Sequence, residues 1–154
     1  MQQTQLILSI FQFILEGIAL SFSTAIFLKI KIDNKKILII GLISALLGFF
    51  FRKLPIVFGF HSILSILLFT ILLNLFYKKE IVKCFIAVAK AFILLSVFEI
   101  LTGNIFIYLT NKTVKEIINN PYLKTLAVLP QSILLFLLGF IMLQIRKRRD
   151  KVEL

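Results

Sequence analysis

The 154 residues include no tryptophan, one cysteine, one histidine, three prolines and six glycines, and only seven acidic side chains. A single cysteine excludes a disulfide scaffold and a cysteine-based zinc site. No linker, internal repeat or low-complexity tract is visible, so one domain over residues 1–154 is expected. Charged residues make up 16% of the chain against 60% hydrophobic, and mean hydropathy is +1.03. A water-soluble domain of this size is not built that way, and disorder is excluded too, because so apolar a chain collapses or inserts. An integral membrane protein remains. Catalytic signatures are also missing: there is no His-Glu-x-x-His, no phosphate-cradling glycine loop, no paired aspartates, and no serine set with a histidine and a carboxylate. No enzymatic activity, cofactor or metal is therefore expected.

What is present is positive charge. Eighteen Lys and Arg against seven Asp and Glu give +11. In a soluble chain that excess would suggest nucleic acid as a partner. Here the charges lie between apolar blocks, which points to the lipid bilayer, its anionic headgroups and control of topology, and not to nucleic acid. The first residues, Met-Gln-Gln-Thr-Gln, have no positive n-region, and the apolar run after them outlasts a signal peptide. The start is expected to be mature sequence and a first span. Heavy use of Ile, Lys, Phe and Asn fits an AT-rich bacterial genome.

Five apolar blocks predict an all-α, polytopic transmembrane helix bundle with spans at about 6–28, 37–54, 56–77, 84–109 and 125–145. The fourth apolar run itself begins at Ile81. The second is the shortest: its uncharged core, Ile37 to Phe51, covers only about 22 Å at 1.5 Å per residue. It crosses if Arg52 and Lys53 snorkel outward or the bilayer thins; a re-entrant hairpin made by blocks two and three is the alternative. Twelve Lys and Arg fall in 29–36, 78–83 and 146–151, against five in 52–53 and 112–124. The positive-inside rule then gives a bacterial cytoplasmic-membrane protein with its N-terminus outside and its C-terminus in the cytoplasm. Tyr77, Tyr108 and Tyr122 fall at block ends, as amphipathic rings at an interface should. Between the last two blocks, Thr113-Val-Lys-Glu116 is a capping-box pattern and Asn120-Pro121 a stop and restart, which predicts a short outer interfacial helix.

Polar residues inside the spans are the candidate functional groups. At 100° per residue, Gln5, Ser9, Gln12, Glu16 and Ser23 fall within an arc of about 60° on the first helix. Glu16 lies near mid-span, where an ionised side chain costs at least about 2.5–3.5 kcal/mol, so it should face other helices. It is either a proton- or ligand-responsive carboxylate in a helix-lined cavity or a hydrogen-bonding group that fixes assembly. Ser96, Glu99, Thr102 and Gly103 lie within about 120° on the fourth span and repeat the theme. Lys90 is on the opposite face from Glu99 and is expected to snorkel toward Lys83.

His61, with Ser62 and Ser65 beside it, is placed to meet Glu16 or Glu99 from neighbouring helices as a pH or ligand switch; the plain alternative is a packed, hydrogen-bonded histidine. The ligand or switch candidates are thus Glu16, Gln12, His61, Ser65, Glu99 and Thr102, with Arg146, Lys147, Arg148 and Arg149 as membrane-surface anchors. Gly41-xxx-Ala45 and Ser44-xxx-Gly48 supply small-residue spacings for close helix approach. Pro130, followed by Gln131 and Ser132, should kink or loosen the last helix. Cys84, near the inner interface, is expected to be a buried or idle thiol.

The stretch Phe51-Arg-Lys-Leu-Pro-Ile-Val-Phe-Gly-Phe-His-Ser-Ile-Leu-Ser65 resembles a segment of the multi-span sensor regions of Firmicutes histidine kinases with GHKL-type ATPase domains, a group that includes peptide-pheromone receptors. The order of apolar spans and the basic exit Arg146-Lys-Arg-Arg149 are similar to the point where such kinases enter their cytoplasmic helix. The dimerisation helix, phospho-accepting histidine and ATP-binding domain have no counterpart in these residues. The resemblance therefore implies ligand sensing or partner regulation without phosphotransfer, and implies conformational roles for Leu54, Pro55, Gly59 and His61.

Together these expectations describe a sensory or regulatory membrane module that relays an external ligand or pH signal to a membrane or cytoplasmic protein partner, or that acts as a homo-oligomer. Two alternatives stay open. One is a small transporter, or the membrane subunit of one, using intramembrane carboxylates. The other is a structural subunit that only stabilises another membrane protein.

Overall fold

The computed structural model describes residues 2–51 and 60–152, and every element in them is an α-helix: α1 (Gln2–Phe27), α2 (Asn34–Phe51), α3 (Phe60–Tyr77), α4 (Ile81–Thr110), α5 (Val114–Asn119) and α6 (Pro121–Val152). All but α5 are long and apolar enough to cross a membrane. Helices are what lipid demands of such sequences, because a backbone amide away from water must find its partner within its own segment. Large apolar side chains cover the outside of the bundle, with Ile7, Leu75, Ile93 and Ile100 each more than 60% exposed. The chain is a multi-pass membrane protein.

The segment boundaries follow local chemistry. Asp33 Oδ1 accepts from the backbone N–H of Lys35 and Lys36 at 3.1 and 3.3 Å, and caps α2. This cap starts α2 three residues earlier than the apolar block at 37, so 18 residues rise about 27 Å. The expectation that the helix reaches residue 54 falls partly on 52–59, outside the described residues. The described part of the third span runs from Phe60 to Tyr77, and its expected start at 56 also falls outside the described residues. At the other turn, Thr113 forms a capping box with Glu116 at the start of α5, and Asn120 Oδ1 accepts from Tyr122 and Leu123 to open α6 with Pro121 in its first turn. The helix continues through Pro130.

α1 is the central helix. It packs on α2, α4 and α6, and 39% of its membrane window is buried against 22–28% for the others. Its seam with α2 depends on two glycines. A Cβ on Gly17 would collide with the Gly41 carbonyl oxygen, and one on Gly41 would stand 2.9 Å from Ile18 Cα. The backbones therefore meet directly, as small-residue crossings in membranes allow. Gly48, by contrast, has nothing within 4 Å of its missing Cβ. α4 turns Cys84, Ala87, Val88, Ala91 and Leu95 inward, at a three-to-four-residue spacing, onto Phe69 and Leu73 of α3.

One end of the bundle is tied by polar bonds between elements. There, Arg146 donates from Nη1 to the Ile30 carbonyl at 3.2 Å and from Nη2 to the Lys29 carbonyl at 2.9 Å, so its planar fork ties α6 to the turn that follows α1. Lys36 Nζ donates to the Phe76 carbonyl at 3.1 Å and lies 5.2 Å from the centre of the Tyr77 ring. These contacts gather the 29–36, 78–83 and 146–149 segments at one basic end, while α5 lies at the other.

Candidate functional site

Four helices line a polar cavity in the half of the bundle away from the basic end. Its volume is about 60 Å³, and its polar lining is Glu16 from α1, Ser44 from α2, and His61, Ser62 and Ser65 from α3; Phe92 of α4 closes one side. The helices position these groups for separate reasons. The Gly17–Gly41 crossing brings α1 against α2 beside Glu16. Gly48, one turn beyond Ser44, leaves part of the space open. His61 and Ser65 are one turn apart on α3 and therefore share a face.

The chemistry of the lining is specific. Glu16 Oε2 is a buried atom, as is Ser44 Oγ, which finds no hydrogen-bond partner among the described residues. Ser65 Oγ donates to the His61 carbonyl at 2.8 Å, so its proton is used inside the helix while its lone pairs remain toward the cavity. A carboxyl and an imidazole border this one small polar space, and a water molecule needs only about 10–15 Å³. Organic ligands occupy roughly 300–1,000 Å³, so this cavity is too small for one.

The remaining sequence candidates lie elsewhere. Gln12, one turn before Glu16, is buried at 6% exposure but does not line the cavity. Thr102 is buried, and its hydroxyl donates to the Phe98 carbonyl at 2.8 Å. Glu99 corrects an expectation: it lies on the exposed side of α4 with Ser96, apart from Glu16 and His61, and its carboxylate has no ion pair among the described residues. The polar arc on α4 straddles the edge of the packing face, with Thr102 inside and Glu99 outside. The row of small residues from Cys84 to Ala91 marks that face and was the available signal.

Arg146 is held by the carbonyls of Lys29 and Ile30 at the basic end of the bundle, while Lys147, Arg148 and Arg149 are exposed. Lys90 is exposed on α4, as snorkelling requires, and Cys84 is buried with Sγ 3.8 Å from the Lys79 carbonyl. Leu54, Pro55 and Gly59 lie outside the described residues.

Of three further polar groups that the fold buries, Ser21 was not named from the sequence, and Gln131 and Ser132 were named only as neighbours of Pro130. Ser21 Oγ, Gln131 Oε1 and Ser132 Oγ sit in the interior without hydrogen-bond partners among the described residues. The two on α6 directly follow Pro130, whose ring removes one backbone donor. Among the described residues no group of three or more His, Cys, Asp or Glu could hold a metal ion. No family model, curated protein or solved structure matches this chain.

Proposed function

We propose that the protein is a non-enzymatic sensory or regulatory module of a bacterial cytoplasmic membrane, with its N-terminus outside, and that protonation of the cavity bordered by Glu16 and His61 is the signal it reads. The observation that carries this reading is the shared cavity itself: the one histidine of the chain and a mid-span carboxylate, from different helices, border a space sized for water and protons. The titratable groups that α1 and α3 bring to it are Glu16 and His61; α2 contributes Ser44, and α4 contributes Phe92. A change of charge there alters the cost of keeping α1, α2 and α3 closed around it, which is a bias between packings.

The route onward is mechanical. α1 carries Glu16, and the turn that follows it receives the two Arg146 hydrogen bonds from α6. Movement of α1 therefore acts on the basic segment Lys147 to Arg149, the surface offered to a cytoplasmic partner. The resemblance of 51–65 and 146–149 to kinase sensor regions agrees with this reading. A transporter is less well supported, because Glu99 lies apart from the cavity and a proton is about the largest cargo the space suits.

A spin label at Arg149→Cys in a Cys84→Ala background tests the reading. Its mobility is expected to change when the pH is stepped from about 8 to about 5. Glu16→Gln and His61→Gln should each flatten that response. A label indifferent to pH in the parent sequence overturns the sensor reading. Proton flux in proteoliposomes that disappears with Glu16→Gln would replace it with transport.

A further inference from the structure

The end of α1, the turn between α3 and α4 and the first turns of α4 enclose a second space, of about 600 Å³, at the basic end of the bundle. Five lysines border it, Lys29, Lys78, Lys79, Lys83 and Lys90, against one carboxylate, Glu80. Glu80 is already committed to Lys83 at 3.1 Å. The ammonium groups of Lys29, Lys78, Lys79 and Lys90 have no hydrogen-bond or ion-pair partner among the described residues. Four uncompensated cations around one basin repel one another, and an anion placed among them removes that cost.

The backbone holds two of these lysines at fixed points. Lys29 and Lys78 sit at φ 54° and 50°, the left-handed position where a helix ordinarily ends on glycine. The Lys29 and Ile30 N–H groups close α1 on the carbonyls of Ile26 and Ala25, and the Lys78 N–H closes α3 on that of Asn74. Both lysines are thus set at the rim of the bundle by hydrogen-bonded turns.

The basin is also built for lipid. Phe27, Leu28, Ile86 and Ala87 supply apolar lining next to the lysines. Lys90 lies seven residues past Lys83, about 10 Å farther along α4 toward the membrane interior. Beside it run Ile86 and Ile93, 47% and 63% exposed. A soluble anion at the mouth gains nothing from this arrangement, whereas a phospholipid presents phosphate at the rim and hydrocarbon below it. We propose that this basin binds the headgroup of an acidic phospholipid, with Lys29, Lys78 and Lys79 around the phosphate, Lys90 reaching it from the membrane side, and acyl chain along Ile86 and Ile93. Four free cations fit a headgroup with two phosphates better than one with a single phosphate.

Native mass spectrometry of the full chain in detergent, titrated with cardiolipin, phosphatidylglycerol and phosphatidylcholine, tests the proposal. Binding is expected to weaken in that order, with at least about tenfold between the first and the last. K79Q and K90Q should each weaken cardiolipin binding about fivefold, K79R should retain it, and K112Q with K115Q at the opposite end should leave it unchanged. Equal retention of the three lipids overturns the site, as does an equal loss from the Lys112 and Lys115 substitutions. Displacement of cardiolipin by millimolar pyrophosphate would give the basin to soluble phosphate anions and overturn the lipid assignment. Retention by K79R of the parent elution profile and lipid binding separates a lost cation from a lost fold.

Discussion

Glu16 and Glu99 each sit eleven residues before the C-terminal end of their helix, Phe27 and Thr110. Both are about 16 Å from a helix end, deep in hydrocarbon. Yet one borders a polar cavity between helices and the other stands on the outside of the chain. Depth therefore does not decide what a membrane carboxylate faces; the residues a turn away do. Glu16 has Gly17 beside it, which draws α2 close, and shares its face with Gln12 and Ser23. Glu99 lies between exposed Ser96 and Gly103, whose missing Cβ has nothing within 4 Å.

The largest expected effect comes from making both carboxylates apolar. Glu99→Leu should favour insertion of α4 by about 3 kcal/mol, because it removes an ionisable group from lipid and breaks no ion pair among the described residues. Glu16→Leu should instead destabilise the folded bundle by about 1–3 kcal/mol, since it strips a polar cavity of one of its members. Unfolding in bicelles, with an insertion assay for α4, reads both. If the two changes have the same sign, the division into inner and outer carboxylates fails.

Glycine neighbours sharpen the contrast. Gly17→Ala should cost about 1–3 kcal/mol, because its methyl meets the Gly41 carbonyl and the crossing must open. Gly103→Ala meets open space and should stabilise α4 by about 0.5–1 kcal/mol through helix propensity alone. Thermal unfolding in detergent is sufficient, and equal shifts would remove the close α1–α2 seam.

Five spans, the cap at Thr113 and the restart at Asn120-Pro121 were legible because each depends on a contiguous pattern: an apolar run between charges, or four residues with fixed chemistry. The Glu16 face was legible for a related reason, since five polar positions fall in a narrow arc. Glu99 was not, because an arc of about 120° fixes a direction on the helix without saying which neighbour fills it. Gly17 and Arg146 share that limit. A glycine matters only once another backbone lies against it, and the carbonyls that Arg146 bonds are more than a hundred residues away in the chain.

The same inside-and-outside division applies to the cations at the basic end. Arg146→Ala should destabilise the bundle by about 1–2 kcal/mol, because it leaves the Lys29 and Ile30 carbonyls, in the turn after α1, without their two donors. Lys147→Ala, at an exposed neighbour, should change stability by less than about 0.5 kcal/mol. Arg146→Lys should recover only part of the loss, since an ammonium cannot reproduce the fork. Chemical unfolding of the three variants decides the matter, and a silent Arg146→Ala would leave that residue a surface anchor alone.

The smallest effect concerns a third carboxylate, in water. Glu116 accepts from the Thr113 N–H at 2.7 Å and the Thr113 hydroxyl at 2.8 Å, and the first of these does most to hold its carboxyl below the ordinary glutamate value. A depressed folded-state value means that α5 is stabilised at neutral pH, and that the gain is lost as pH falls through that value. The window therefore opens below about pH 4.5 and lies wholly on the acid side. Carbon chemical shifts of labelled Glu116 should titrate there, together with loss of helical shifts at Ile117 and Ile118, and Glu116→Gln should remove the dependence. Titration at or above the ordinary value would mean that the capping box does not form in solution. Here, unlike at Glu16 and Glu99, a four-residue motif supplies the hydrogen bonds of the carboxylate, which is why this one could be read from the sequence.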